Sequence, residues 1–110
     1  MIESKLCEFK FYHDENDKYI PGIIKETGNY YDVRNLELIS EYISDESIVL
    51  DIGANIGNHT LYFSKIAKKV LSFEPDVINF KYLQKNIESN NISNVELYNY
   101  GIGNIEGEYY

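Results

Sequence analysis

Two carboxylates, two glycines and two amides stand where this sequence could do chemistry. Asp51 lies near the end of the apolar run Ser47 to Ile52, Gly53, Ala54, Asn55 and Gly57 follow it, and Asn58, His59 and Thr60 open a helical pattern. Glu74 closes a second apolar run, Val70 to Phe73, 17 residues beyond Gly57. Glycines at 53 and 57 permit a sharp turn and let a ligand approach without meeting a Cβ, while the helix start beyond them offers unpaired N–H groups. A loop of this kind, placed after a strand, is shaped for close contact with a bound molecule.

Spacing narrows the choice of molecule. The dinucleotide fingerprint is G-x-G-x-x-G, whereas Gly53 to Gly57 reads G-x-x-x-G with Asn55 where a central glycine would admit pyrophosphate. No Lys-Ser or Lys-Thr pair follows Gly57, so the phosphate-cradling loop of nucleoside triphosphatases is absent too. S-adenosylmethionine carries no phosphate and bears a sulfonium cation, which makes Asp51 helpful rather than repulsive. Glu74, at the end of the next run, is placed to accept bonds from the hydroxyls of an adenosine ribose.

The elements that must position these residues follow from periodicity. The first 29 residues, with Pro21-Gly22 and Gly28-Asn29, read as short extended pieces and turns, an irregular N-terminal flap over 1–32. Apolar spacing from Val33 to Ile43 predicts an amphipathic helix, and Ser47 to Ile52 predicts a strand buried on both faces of a parallel sheet. A helix from Asn58 to Ile66, a strand over Val70 to Phe73, a helix from Asp76 to Asn90 and a strand over Val95 to Tyr100 complete the order. Alternation of this kind predicts an α/β fold, the first half of a doubly wound, mostly parallel sheet. The strand order expected from it leaves Ser47 to Ile52 at an edge, open to self-association or to a missing C-terminal half.

Composition limits the classes of function. Apolar residues make up 44% and charged residues 25% of the 110, which excludes a disordered or fibrous chain. Eighteen acids against 10 bases give a net charge of −8, read as excluding a nucleic-acid partner and anionic lipid. One cysteine, Cys7, and two distant histidines cannot supply a structural zinc site, and no metal is expected. The N-terminus has no apolar core of secretory length and no segment approaches a membrane span, so a cytoplasmic location is expected.

Taken together, DIGANIGNHT, SFEP and NIESNNISNVELYNYGIGNIEG resemble the FkbM family of S-adenosylmethionine-dependent methyltransferases, over about Gly28 to Gly107. The resemblance implies a Rossmann-like methyltransferase fold, cofactor contact by Asp51, Gly53, Asn55, Gly57 and Glu74, and O-methylation of a small-molecule or glycan-like acceptor. Ala54 belongs to the same loop, and Asn58 is a candidate near the methionine part of the cofactor, with capping as its alternative. Asn104 follows the Gly101-Ile102-Gly103 turn, where related methyltransferases place a polar group, commonly an Asp, against adenine; an amide can also make that bond.

His59 is a candidate proton acceptor with no partner visible in the sequence, and Tyr30 and Tyr31 are read as covering the sheet, a lid over the cofactor being the alternative. No catalytic base or acceptor pocket is legible. Residues 33–110 are therefore expected to form the cofactor-binding part of an incomplete methyltransferase domain. An inactive or partner-dependent fragment is the rival reading, and a nicotinamide-dependent oxidoreductase the weaker one.

Overall fold

The computed structural model describes residues 1–104. A three-stranded parallel sheet lies at the centre of the expected α/β unit. Strands β3 (Ile48–Ile52), β4 (Lys69–Phe73) and β5 (Val95–Tyr98) stand in that order, with β4 central. They are linked by α3 (Asn58–Ser64) and α4 (Val77–Ser89), the crossovers that parallel strands require. Asp76 caps α4 by accepting from the N–H of Asn79 at 2.8 Å, which fixes the helix start where the sequence predicts it.

The register aligns Val49, Val70 and Val95 on one face, and Asp51, Ser72 and Leu97 follow on the same face. This face joins the core, where Leu61, Phe63, Leu83 and Ile87 from α3 and α4 are buried. The opposite face corrects the expectation of a strand buried on both sides. Ile48, Leu50 and Ile52 are 61%, 56% and 57% exposed, and β3 forms the sheet edge among the described residues. Both crossovers pack on the Val49 side, so an apolar run that reads as doubly buried has one face covered. At the carboxyl ends of β4 and β5, Phe73, Tyr98 and Tyr100 cluster, with the Phe73 and Tyr98 rings stacked at 5.0 Å.

Residues 1–32 have more regular structure than the expected flap. Strands β1 (Ile2–Leu6) and β2 (Phe9–His13) form an antiparallel hairpin, and α1 (Ile20–Thr27) follows. Pro21, read as part of a turn, lies in the first turn of α1, where its missing N–H removes no helical bond. Gly28 ends α1 in the left-handed conformation and donates its N–H to Ile24 at 2.7 Å. Leu6, Phe11 and Ile24 are fully buried in the same core as α3 and α4. Helix α2 spans Val33–Ser40 and buries Leu36, while Leu38, Ile39 and Tyr42 of the apolar pattern are exposed. No described helix is long and apolar enough to cross a membrane. Residues 105–110, with the end of the third sequence motif, lie outside the described residues.

Candidate functional site

The loop after β3 closes onto the end of β4. The N–H groups of Gly53 and Ala54 both donate to the Phe73 carbonyl, at 2.9 and 3.0 Å, and the N–H of Asn55 donates to Glu74 Oε1 at 2.7 Å. Gly53 and Asn55 adopt positive φ values of 77° and 55°, which turn successive N–H groups toward the same strand end. An asparagine tolerates this region better than most residues, so G-x-N is a workable alternative to G-x-G here. Gly57, at φ 109°, begins α3; a Cβ there would stand 3.1 Å from Leu83 Cδ1. Gly53 differs, because a Cβ added there would meet nothing within 4 Å and would project into open space.

Glu74 is buried, and its second oxygen accepts from the N–H of Asp76 at 2.9 Å. Each carboxylate oxygen therefore holds one backbone N–H and keeps capacity for another donor. The Asn99 side chain donates to the Glu74 carbonyl at 2.9 Å, which ties the end of β5 to the same corner.

Asp51 is buried at the end of β3 and accepts from the Thr60 hydroxyl at 2.5 Å; Thr60 in turn lies 2.8 Å from the Ser72 hydroxyl. Burial raises the Asp51 pKa, with the nearby Glu74 charge adding to the effect, against the lowering influence of the Thr60 bond and His59. A cation beside Asp51 would offset the cost of holding that carboxylate ionised out of water.

A cavity of about 240 Å³ lies over the loop, lined by Ile20, Asp51, Ile52, Gly53, Ala54, Asn55, Ile56, Asn58 and His59. It lies at the carboxyl end of the parallel strands, where ligands bind in open α/β sheets. Five of the predicted site residues, Asp51, Gly53, Ala54, Asn55 and Asn58, thus share one cavity, and Glu74 holds the backbone of Asn55 beside it. Gly57 lies behind the loop against α4. Asn104 is exposed and is not among the lining residues. A second cavity of about 250 Å³, bounded by Asp14, Asp17, Ile78 and Tyr82, meets the first at Ile56 but lies away from the loop glycines.

Capping is not what Asn58 does: its side chain bonds no N–H of α3. Gly57 occupies the cap position, while Asn58 Oδ1 accepts from the Tyr31 N–H at 2.9 Å and Nδ2 donates to the Tyr31 carbonyl at 2.9 Å. That pairing fixes the amide orientation, so Nδ2 faces His59 Nδ1 at 3.0 Å and His59 must accept there. Its Nε2 then carries the proton and faces Asp32 Oδ2 at 3.8 Å, the partner that the sequence did not reveal. With both nitrogens so engaged, His59 shows no free lone pair to the cavity. Tyr30 is buried against Tyr62, whereas Tyr31 meets the exposed Tyr19 hydroxyl at 3.0 Å. Thr60, Ser72 and Asn99 fall within the three quoted motifs, yet the sequence assigns them no role, because their roles depend on which strands become neighbours.

No family model matches the chain. It is 38% identical over 61 residues to Methyltransferase 1 of Beauveria bassiana, covering 54% of this chain and 24% of that protein. It is 31% identical over 80 residues to the ribosomal protein L11 methyltransferase of a Thermoanaerobacter species, covering 71% and 26%. To the probable ribosomal RNA small subunit methyltransferase A of Methanosphaera stadtmanae it is 38% identical over 63 residues, covering 57% and 23%. Among solved structures, an rRNA methylase from Streptococcus thermophilus matches with TM-score 0.59 and 28% identity over 62% of this chain and 41% of the other. A Streptococcus mutans protein assigned as a methyltransferase and solved with S-adenosylhomocysteine gives TM-score 0.61 and 28% identity, over 64% and 40%.

Fold and loop together define a Rossmann-like methyltransferase fold, and the chain is similar to S-adenosylmethionine-dependent methyltransferases along this unit. It spans about a quarter of the length of these curated relatives. The exclusion of nucleic acid does not stand: proteins named for ribosomal RNA methylation share this unit. A net charge averages over a whole surface, whereas nucleic acid is bound by local patches, so −8 does not exclude a nucleic-acid partner.

Proposed function

We propose that this chain is the cofactor-binding part of an S-adenosylmethionine-dependent methyltransferase. The observation that carries the reading is the loop Asp51 to Asn58 clamped on Phe73 and Glu74, over a cavity at the carboxyl end of the parallel sheet. The donor set fits this cofactor. Among the described residues the cavity lining has a buried carboxylate, Asp51, and no lysine or arginine, which suits a sulfonium cation and opposes a pyrophosphate. Open space beside Gly53 allows a ligand to reach the backbone.

When bound, the cofactor supplies an electrophilic methyl group. Asp51 would hold the cationic end, Glu74 would accept from the ribose through its remaining lone pairs, and Asn55 and Ala54 would bound the ligand's path. Asn104 would approach adenine from the end of β5. The chain's contribution to rate is positioning, since a fixed methyl donor turns a bimolecular encounter into an oriented one.

The motifs shared with the FkbM family favour the oxygen of a small-molecule or glycan-like acceptor; the relatives named for ribosomal RNA and ribosomal protein favour a macromolecular one. Calorimetric titration tests the cofactor reading: S-adenosylmethionine and S-adenosylhomocysteine are expected to bind and NAD is not. Binding of NAD alone would replace the reading with an oxidoreductase. Transfer of a labelled methyl group to glycans, ribosomal RNA or ribosomal protein decides between the acceptors.

A further inference from the structure

Two asparagines one turn apart, Asn86 on α4 and Asn90 at its C-cap, hold the edge of β2 by the same device. Asn86 Oδ1 accepts from the Tyr12 N–H at 2.6 Å and its Nδ2 donates to the Tyr12 carbonyl at 3.1 Å. Asn90 Oδ1 accepts from the Lys10 N–H at 3.0 Å and its Nδ2 donates to the Lys10 carbonyl at 2.8 Å. Each side-chain amide pairs with the backbone as a neighbouring strand would, and the alternation of Lys10 and Tyr12 along β2 matches the pitch of one helical turn. The two differ in one bond. Asn86 is fully buried and also donates to the Ile56 carbonyl at 2.7 Å, within the cofactor loop; the other bond of Asn90 returns to its own helix, at the Asn86 carbonyl.

We infer that Asn86 is a positioning residue that couples the N-terminal hairpin to the cofactor loop, so that the hairpin is a working part of the site. The inference rests on the cofactor reading above. Ile56 lines the loop cavity and immediately precedes Gly57, the start of α3. The loop is held on one side by Phe73 and Glu74 and on the other by Asn86. Removing the Asn86 amide leaves the buried Ile56 residue with an unpaired carbonyl and frees the loop to rotate away from the geometry that Glu74 selects. Asn90 docks the same hairpin on the same helix without touching the loop, which makes it the control.

The test compares Asn86→Ala and Asn90→Ala by calorimetric titration with S-adenosylhomocysteine, each alongside thermal unfolding without ligand. Both variants are expected to melt earlier, but only Asn86→Ala is expected to weaken binding, by about 10-fold or more, with Asn90→Ala within about twofold of the parent. A merely structural role predicts that both affinities follow the loss of stability. If Asn86→Ala does not fold, amide exchange on the unaltered chain decides: saturation with S-adenosylhomocysteine should slow exchange at Tyr12 and leave Lys10 unchanged. Equal affinity losses in the two variants, retained affinity in Asn86→Ala, or an unresponsive Tyr12 amide would each overturn the inference alone. Failure of the unaltered chain to bind would overturn the cofactor reading and the inference with it.

Discussion

Replacing Glu74 by Gln tests the proposed ribose contact against the backbone clamp that the same carboxylate makes on Asn55 and Asp76. The side chain already accepts from Asn55 at 2.7 Å and from Asp76 at 2.9 Å, so truncation to Ala would leave two backbone N–H groups unpaired near the loop. At about 1 to 3 kcal/mol for each unsatisfied donor, that change endangers a domain whose whole stability is of order 5 to 15 kcal/mol. Glutamine keeps the shape and one acceptor oxygen, while its NH2 faces one of the two backbone N–H groups and leaves that donor unpaired. It loses the charge assistance worth roughly 1.5 to 3 kcal/mol, so affinity for S-adenosylhomocysteine should fall about 10- to 100-fold. A loss of that size would also follow if Glu74 only shaped the loop. The ligand therefore has to vary as well. With a direct ribose contact, the parent should prefer S-adenosylhomocysteine over its 2′-deoxy analogue by about 10-fold, and Glu74→Gln should erase most of the preference. Calorimetry on both proteins with both ligands gives the coupling, and circular dichroism verifies folding. If Glu74→Gln weakens the two ligands equally, the ribose role is refuted and only the clamp on Asn55 survives.

The two loop glycines should fail differently: Gly57→Ala meets Leu83 at 3.1 Å with φ at 109° and should cost about 1 to 3 kcal/mol in a denaturant titration. Gly53→Ala, with open space around its Cβ, should cost only the left-handed strain of about 1 to 2 kcal/mol yet weaken ligand binding disproportionately. Burial holds the folded-state pKa of Asp51 above its ordinary value, so the ionised group destabilises the ligand-free chain as pH rises through that folded-state pKa. Asp51→Asn should remove this component, seen as a flatter dependence of the urea midpoint on pH above the ordinary aspartate range. It should also abolish any preference for S-adenosylmethionine over S-adenosylhomocysteine, whose sulfur is uncharged. Leu50→Ala, on the open sheet face, should shift the thermal midpoint little, whereas Leu83→Ala should cost about 2 to 5 kcal/mol; equal losses would show that the face is covered.

The strands and crossover helices were legible because each carries a period that few alternatives share. Val77, Phe80, Leu83 and Ile87 mark α4 on spacing alone, and Asp51 and Glu74 stand out because acids end two apolar runs. What escaped depends on contacts between distant segments. In sequence Asn58 reads as a cofactor candidate or cap, Asn90 as a helix end and Asn86 as an unremarked helix position, yet each grips a backbone more than 25 residues away, as Asn58 grips Tyr31 across 27 positions. Helix α1 was hidden by Pro21-Gly22, a pair equally at home in a turn or a first helical turn. The exposed face of β3 was hidden for another reason: an apolar run states that a surface needs cover, and says nothing about which polypeptide supplies it.

These hidden contacts change what the visible motif means. A glycine-rich loop read alone offers free N–H groups to a ligand, but here the N–H groups of Gly53, Ala54 and Asn55 are already paired to the end of β4. Ligand binding therefore has little backbone left to order, and the entropy that a flexible loop would lose on binding is already accounted for in folding. Affinity then depends on how firmly the loop is held as well as on what it touches. Glu74 holds it from the sheet, Asn86 holds it from α4, and Asn58, beside it, grips Tyr31. The N-terminal segment reaches the loop cavity through two of those three grips, which is why residues with no place in the DIGANIGNHT or SFEP motifs belong to the physical account of the candidate site.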